Sequence, residues 1–152
     1  MQQALARALH VTSDKAILAY TELLQDELRV LLQRNDDSCH RYLFPLPAQA
    51  PLPPLPSALA ERNSVIVAQI LRDAAKQAQA ALSNQRMQAL RFAVIGPWAN
   101  AHPQQFQMLS NPHLPADKQA VCRAAQSLYA HIQNQHLEAA PVLRMMLGRS
   151  TR

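Results

Sequence analysis

Only two glycines, Gly96 and Gly148, occur in a chain of 152 residues. Glycine supplies most of the positive-φ backbone that tight hairpins need, so a sequence nearly without it has few ways to turn strands back on one another. Alanine, leucine and glutamine fill the chain instead, and all three favour helix. The expectation is an all-α fold, a single helical bundle of about five to seven helices spanning residues 1–152, a length that suits one core.

Apolar periodicity places the helices. Ile17, Tyr20, Leu24, Leu28 and Leu31 recur at three- and four-residue steps, which makes Gln2–Gln33 one long helix or two joined near Thr12–Ser13. Asn35–Ser38 ends it, because short polar side chains compete for the local backbone. Six prolines between Pro45 and Pro56 exclude helix, so residues 44–56 read as an extended proline-rich crossover. Its PxxP spacing also fits an aromatic-lined groove, though a stiff connector is the preferred reading. Ser57 is a cap for a helix over Ala58–Leu82, and a further helix over Gln85–Ile95 is expected to stop at Gly96-Pro97. A short helix through Phe106 and Leu109, one opened by Pro115 over Ala116–Leu137, and one from Pro141 to Gly148 complete the chain.

No catalytic constellation accompanies these elements. P-loops, dinucleotide fingerprints and nucleophile elbows need glycines that the chain lacks. His131 and His136 lie five apart and point to different sides of a helix, and Cys39 and Cys122 stand outside any CxxC pattern. The chain is thus expected to be no enzyme, with no catalytic residue, no metal and no cofactor, and with both cysteines reduced. No apolar run is long enough to span a bilayer and no secretory signal is legible at the N-terminus, so the expected location is the cytoplasm.

Charge gives the functional direction. Residues 1–76 carry eight Lys/Arg and eight Asp/Glu, whereas residues 77–152 carry seven against two, which places the whole net charge of +5 in the C-terminal half. A basic half calls for an acidic partner. Trp98 is the only tryptophan, placed just after the expected helix stop; it either plugs the end of the bundle or, with Phe106 and Leu109, forms a candidate apolar anchor, with Arg86 and Arg91 to steer an acidic protein toward it. The alternative reading is a nucleic-acid-binding regulatory protein. It rests on the same arginines together with Lys118, Arg123, Arg144, Arg149 and Arg152, which are scattered and lack interleaved aromatics.

At Ala93-Val94-Ile95-Gly96-Pro97-Trp98 the chain resembles the accessory proteins of the type III secretion sorting platform, the K subunit family, which have an Ile-Gly-Pro-Trp element after a helix. Val142-Leu143-Arg144-Met145-Met146-Leu147 is similar to the family's Leu-Arg-rich tail, and Tyr42-Leu43-Phe44-Pro45 to a Tyr-Leu-His-Pro element, from which Phe44 departs. The resemblance implies a bacterial, non-enzymatic helical adaptor that links the membrane ring of the secretion machine to its cytoplasmic pods.

Overall fold

The computed structural model describes residues 2–76 and 78–148, and every regular element among them is helical. The first two helices are α1 (Gln2–Val11) and α2 (Asp14–Gln33), separated at Thr12–Ser13 as their sequence suggests. Ser13 caps α2, its hydroxyl accepting from the Ala16 amide at 3.2 Å, and Asp14 lies at the positive end of the dipole. Ile17, Leu24, Leu28 and Leu31 are all buried along one stripe, so α2 runs through the middle of the bundle. Helices α4, α9, α8 and α3 all pack on it, while α1 packs on α4 and α9.

Helix α3 (Ser38–Leu43) is a single short turn-and-a-half that periodicity does not reveal. It follows Asn35, which takes φ of 60°, and the Asp36 carboxylate accepts from the Ser38 amide at 2.8 Å. The proline tract then leaves for α4 (Ser57–Lys76) as an exposed connector. Proline carbonyls can only accept, and Arg34 donates to those of Pro53 (3.1 Å) and Pro54 (2.7 Å) while Leu55 packs against the core.

Buried Glu27 ties three helices together. It is 2% exposed and accepts from the Tyr42 hydroxyl of α3 at 2.5 Å and the Asn63 amide of α4 at 3.1 Å. Burial, reinforced by this carboxylate, pushes the Tyr42 phenol far above its usual range and raises Tyr20 as well. Tyr129 is pushed up to about 12, chiefly by burial.

Several boundaries differ from expectation. Helix α4 ends at Lys76 and does not reach Leu82; Gln77 lies outside the described residues, and residues 78–83 cross over without helix. The Gln79 amide satisfies the Val11 carbonyl at the end of α1 (2.8 Å), a bond it could not make inside a helix. Then come α5 (Asn84–Leu90), a π turn (Arg91–Ile95), α6 (Gly96–Ala101) and α7 (Pro103–Ser110). Helix α8 (Lys118–Gln133) is opened by Asp117, whose side chain accepts from the Ala120 amide at 2.9 Å, and not by Pro115. Its stripe of Val121, Ala125, Leu128 and Ile132 is buried as its spacing requires. It closes before a 3-10 turn (His136–Glu138), and α9 (Ala139–Leu147) begins ahead of Pro141. The helical segments outnumber the five to seven expected because short pieces flank the long ones.

Gly148 leaves room for α1. A Cβ there would lie 2.5 Å from the His10 ring, so with any other residue the exposed His10 side chain would have to swing aside for the end of α9 to settle on α1.

The cysteines also depart from expectation. Cys39 on α3 and Cys122 on α8, both buried, form a disulfide with Cα atoms 6.1 Å apart. Residues 83 apart in sequence meet because short α3 packs directly on α8 while both contact α2, which no spacing rule reports. Closing so long a loop restricts the unfolded chain, and losing such a bridge typically costs about 2–5 kcal/mol. Accordingly, Cys39→Ser with Cys122→Ser should lower the melting temperature by about 5–15 °C, measured by circular dichroism beside the oxidised wild type. Equal melting would mean that the bridge contributes nothing.

Candidate interaction surface

Between Asp73 and Asp117 the sequence contains no Asp or Glu at all, and from Phe92 to Ala116 no Lys or Arg either. This stretch folds into α5, the π turn, α6 and α7, a layer laid against α8. Ser83 starts it by accepting from the Arg86 amide at 3.2 Å.

Gly96-Pro97 does not stop the helix. Proline lacks an amide hydrogen and its ring crowds the carbonyl four residues back, so an ordinary helix would break or kink here. The chain widens instead into the π turn, in which the Gly96 amide donates to the Arg91 carbonyl five residues earlier. Gly96 helps for a second reason: without a Cβ it can keep α geometry directly before a proline. The Val94 carbonyl in this wide turn meets His131 Nε2 of α8 at 2.8 Å, so that ring nitrogen carries the hydrogen.

The continuous helix sends Leu90, Val94 and Trp98 inward, one turn apart. Trp98 is 2% exposed, with its indole N–H donating to the Ser127 hydroxyl at 3.1 Å. Of the two readings of Trp98, the anchor gives way to the core: the residue fastens α6 to α8 and does not face a partner. A polar end satisfied inside the bundle is what a buried indole needs.

The other expected site residues are spread out. Phe106 on α7 is 45% exposed, but Leu109, a turn further on, faces the core and is half-buried. Arg86 is held by Glu138 at 3.1 Å, whereas Arg91 is exposed and has no ion-pair partner among the described residues. Arg86 precedes Trp98 by twelve residues, about 18 Å of helical rise, so the arginines do not ring the tryptophan. Arg149 and Arg152 lie outside the described residues.

Two surface residues were missed. Phe92, beside Arg91 on the π turn, and Leu114, in the loop after α7, are each 80% exposed. Helix α7 has no fully buried residue, and a groove of about 390 Å³ runs past it, lined by Gln104, Gln107, Met108, Asn111, Leu114 and Pro115. The available signal was the missing charge: a surface segment without acids or bases is not kept for solubility. The layer thus offers exposed apolar groups and one unpaired cation in a setting free of nearby sequence acids.

The far edge of this surface is pinned to α3. His40 Nε2 meets the Pro112 carbonyl at 2.7 Å, and its ring contacts Phe44 and His113 with centroids 5.4 and 5.3 Å away. Lys118 donates to the His113 carbonyl at 2.6 Å. Among the described residues no group of three or more His, Cys, Asp or Glu is placed to hold a metal ion, and no helix is long and apolar enough to cross a membrane. No protein-family model, no curated protein and no solved structure matches the chain.

Burial is the main cause that pushes the His40 imidazole below its usual range; Lys118 and His113 add to it, against the opposing Pro112 carbonyl and Asp37. The unfolded imidazole, near pH 6.5, therefore binds protons more readily than the folded one. Stability from this group is full above about pH 6.5 and falls as the pH drops toward the folded value. Asp26 and Asp36 are shifted down and matter only at lower pH. Melting temperature followed from pH 7.5 to about 5 should fall in wild type and fall less in His40→Gln. Parallel curves would contradict the assignment.

Proposed function

We propose that the chain is a non-enzymatic helical adaptor that docks an acidic protein segment on the surface formed by the π turn, α7 and the loop to α8. The single observation behind this reading is the coincidence of exposed Phe92, Phe106 and Leu114 with unpaired Arg91 in a segment without acids. Apolar side chains provide the contact that is lost slowly once made, and a lone exposed arginine speeds encounter with negative charge. Trp98 supports the surface from beneath instead of touching the partner.

The finer reading, an accessory subunit of a bacterial secretion machine, draws its support from the Ile95-Gly96-Pro97-Trp98 element and the tail at Val142–Leu147. A cytoplasmic home would keep thiols reduced. The bonded Cys39–Cys122 pair favours an oxidising compartment, and counting free thiols in protein alkylated at the moment of lysis distinguishes the two.

A photo-crosslinking residue placed at Phe106 or Leu114 in the cell should trap one protein through an acidic segment, while the same residue at Glu61 on α4 should not. Arg91→Glu should slow association at low salt, with the difference fading toward 1 M, where the screening length is about 3 Å. Adducts that disappear with nuclease would replace this reading with nucleic-acid binding, and equal trapping at Glu61 would remove the surface from consideration.

A further inference from the structure

A half-enclosed cavity of about 220 Å³ lies where the end of α1, the crossover at residues 78–83, the start of α5 and the last turns of α9 converge. Val11, Leu82, Met87 and Met145 make its walls largely apolar, and His10 and Arg144 are the titratable groups that line it.

Arg144 is the unusual member. It is 8% exposed, and a guanidinium offers hydrogen-bond donors only. Its Nη1 donates to the Thr12 carbonyl at 3.3 Å and to the Asp14 carboxylate. The remaining donors, on Nη2 and Nε, carry no hydrogen bond among the described residues. Its one counter-charge among the described residues is weak, because the Asp14 side chain is 64% exposed and shares its charge with water. The hydroxyl of Thr12, whose carbonyl Arg144 holds, is also buried without a partner. A buried guanidinium with spare donors in an apolar wall matches a planar acceptor with two oxygens and a hydrocarbon body.

We infer that this cavity binds a small apolar monocarboxylate, its carboxylate on Arg144 and its chain against Met87, Met145 and Leu82. The volume is below the roughly 300–1,000 Å³ of pockets for drug-sized molecules, so the ligand is a short aliphatic acid. An amine of the same length is repelled by the guanidinium, and an alcohol leaves donors unmet. The site is separate from the surface of α7 and stands or falls independently of the adaptor reading.

Calorimetric titration of the full chain with hexanoate, hexan-1-ol and hexylamine near neutral pH tests it. Hexanoate should bind saturably at one site, the alcohol at least about tenfold more weakly, and the amine not at all. Arg144→Met, which keeps the apolar stem, should weaken hexanoate by a similar factor. Because Arg144 also braces the joint between α1 and α2, Ala81→Phe serves as the second variant; Ala81 lies on the exposed crossover and lines the cavity. It should abolish binding without lowering the melting temperature. No saturable hexanoate binding, alcohol binding as tight as the acid, or binding that survives Ala81→Phe would each overturn the inference.

Discussion

A proline has no amide hydrogen to give, and the arrangement of the whole α5–α7 layer follows from how the chain meets that constraint at Pro97. An abrupt stop would have left Trp98 in a loop and let the following residues settle independently. The π turn carries the helix onward, so Leu90, Val94 and Trp98 stay in phase on one buried face. Arg91 and Phe92 are turned out to solvent by the same geometry. Two of the bonds that hold the layer in place, His131 to the Val94 carbonyl and Trp98 to Ser127, end on α8. What the surface offers is therefore decided by what the inner face must satisfy.

Beneath this layer the bundle is organised by α2, and its ties are of several kinds. Apolar residues one turn apart fill its stripe, while Glu27 collects hydrogen bonds from α3 and α4 in place of an ion pair. A carboxylate so deeply buried is costly without donors, so Tyr42 and Asn63 are needed as much as the apolar contacts. The disulfide adds a covalent tie from α3 to α8, and the bare backbone of Gly148 allows α9 to close over α1. Each long-range tie fixes a short element that has little helical stability of its own.

Much of this fold was legible because it repeats. The stripes of α2 and α8, the Thr12–Ser13 joint and the proline connector are periodic or punctuated features, and each lies where its pattern puts it. Gly96-Pro97 reads as a helix stop because glycine just past a helix end with proline after it is a common terminator; the contrary signal is the four-residue spacing of Leu90, Val94 and Trp98 across it. The end of α4 at Lys76 depends on a bond from Gln79 to Val11, and the disulfide on a meeting of two helices, which are tertiary events without a local signature. At the surface, Phe106 is exposed apolar area, whereas Leu109 faces the core and Trp98 takes the bundle-plugging place, one of its two readings. Phe92 and Leu114 went unnoticed because single apolar residues carry no pattern; the absence of charge around them did.

Since Trp98 is the only tryptophan, its fluorescence reports on one position without ambiguity. The steady-state emission of the folded chain, titrated with iodide, tests whether the helix runs through Gly96-Pro97 and carries the indole inward. An inward indole gives blue-shifted emission that iodide barely quenches until the protein is unfolded. Red-shifted emission quenched in the native state as readily as free indole would place Trp98 at the surface and contradict the account.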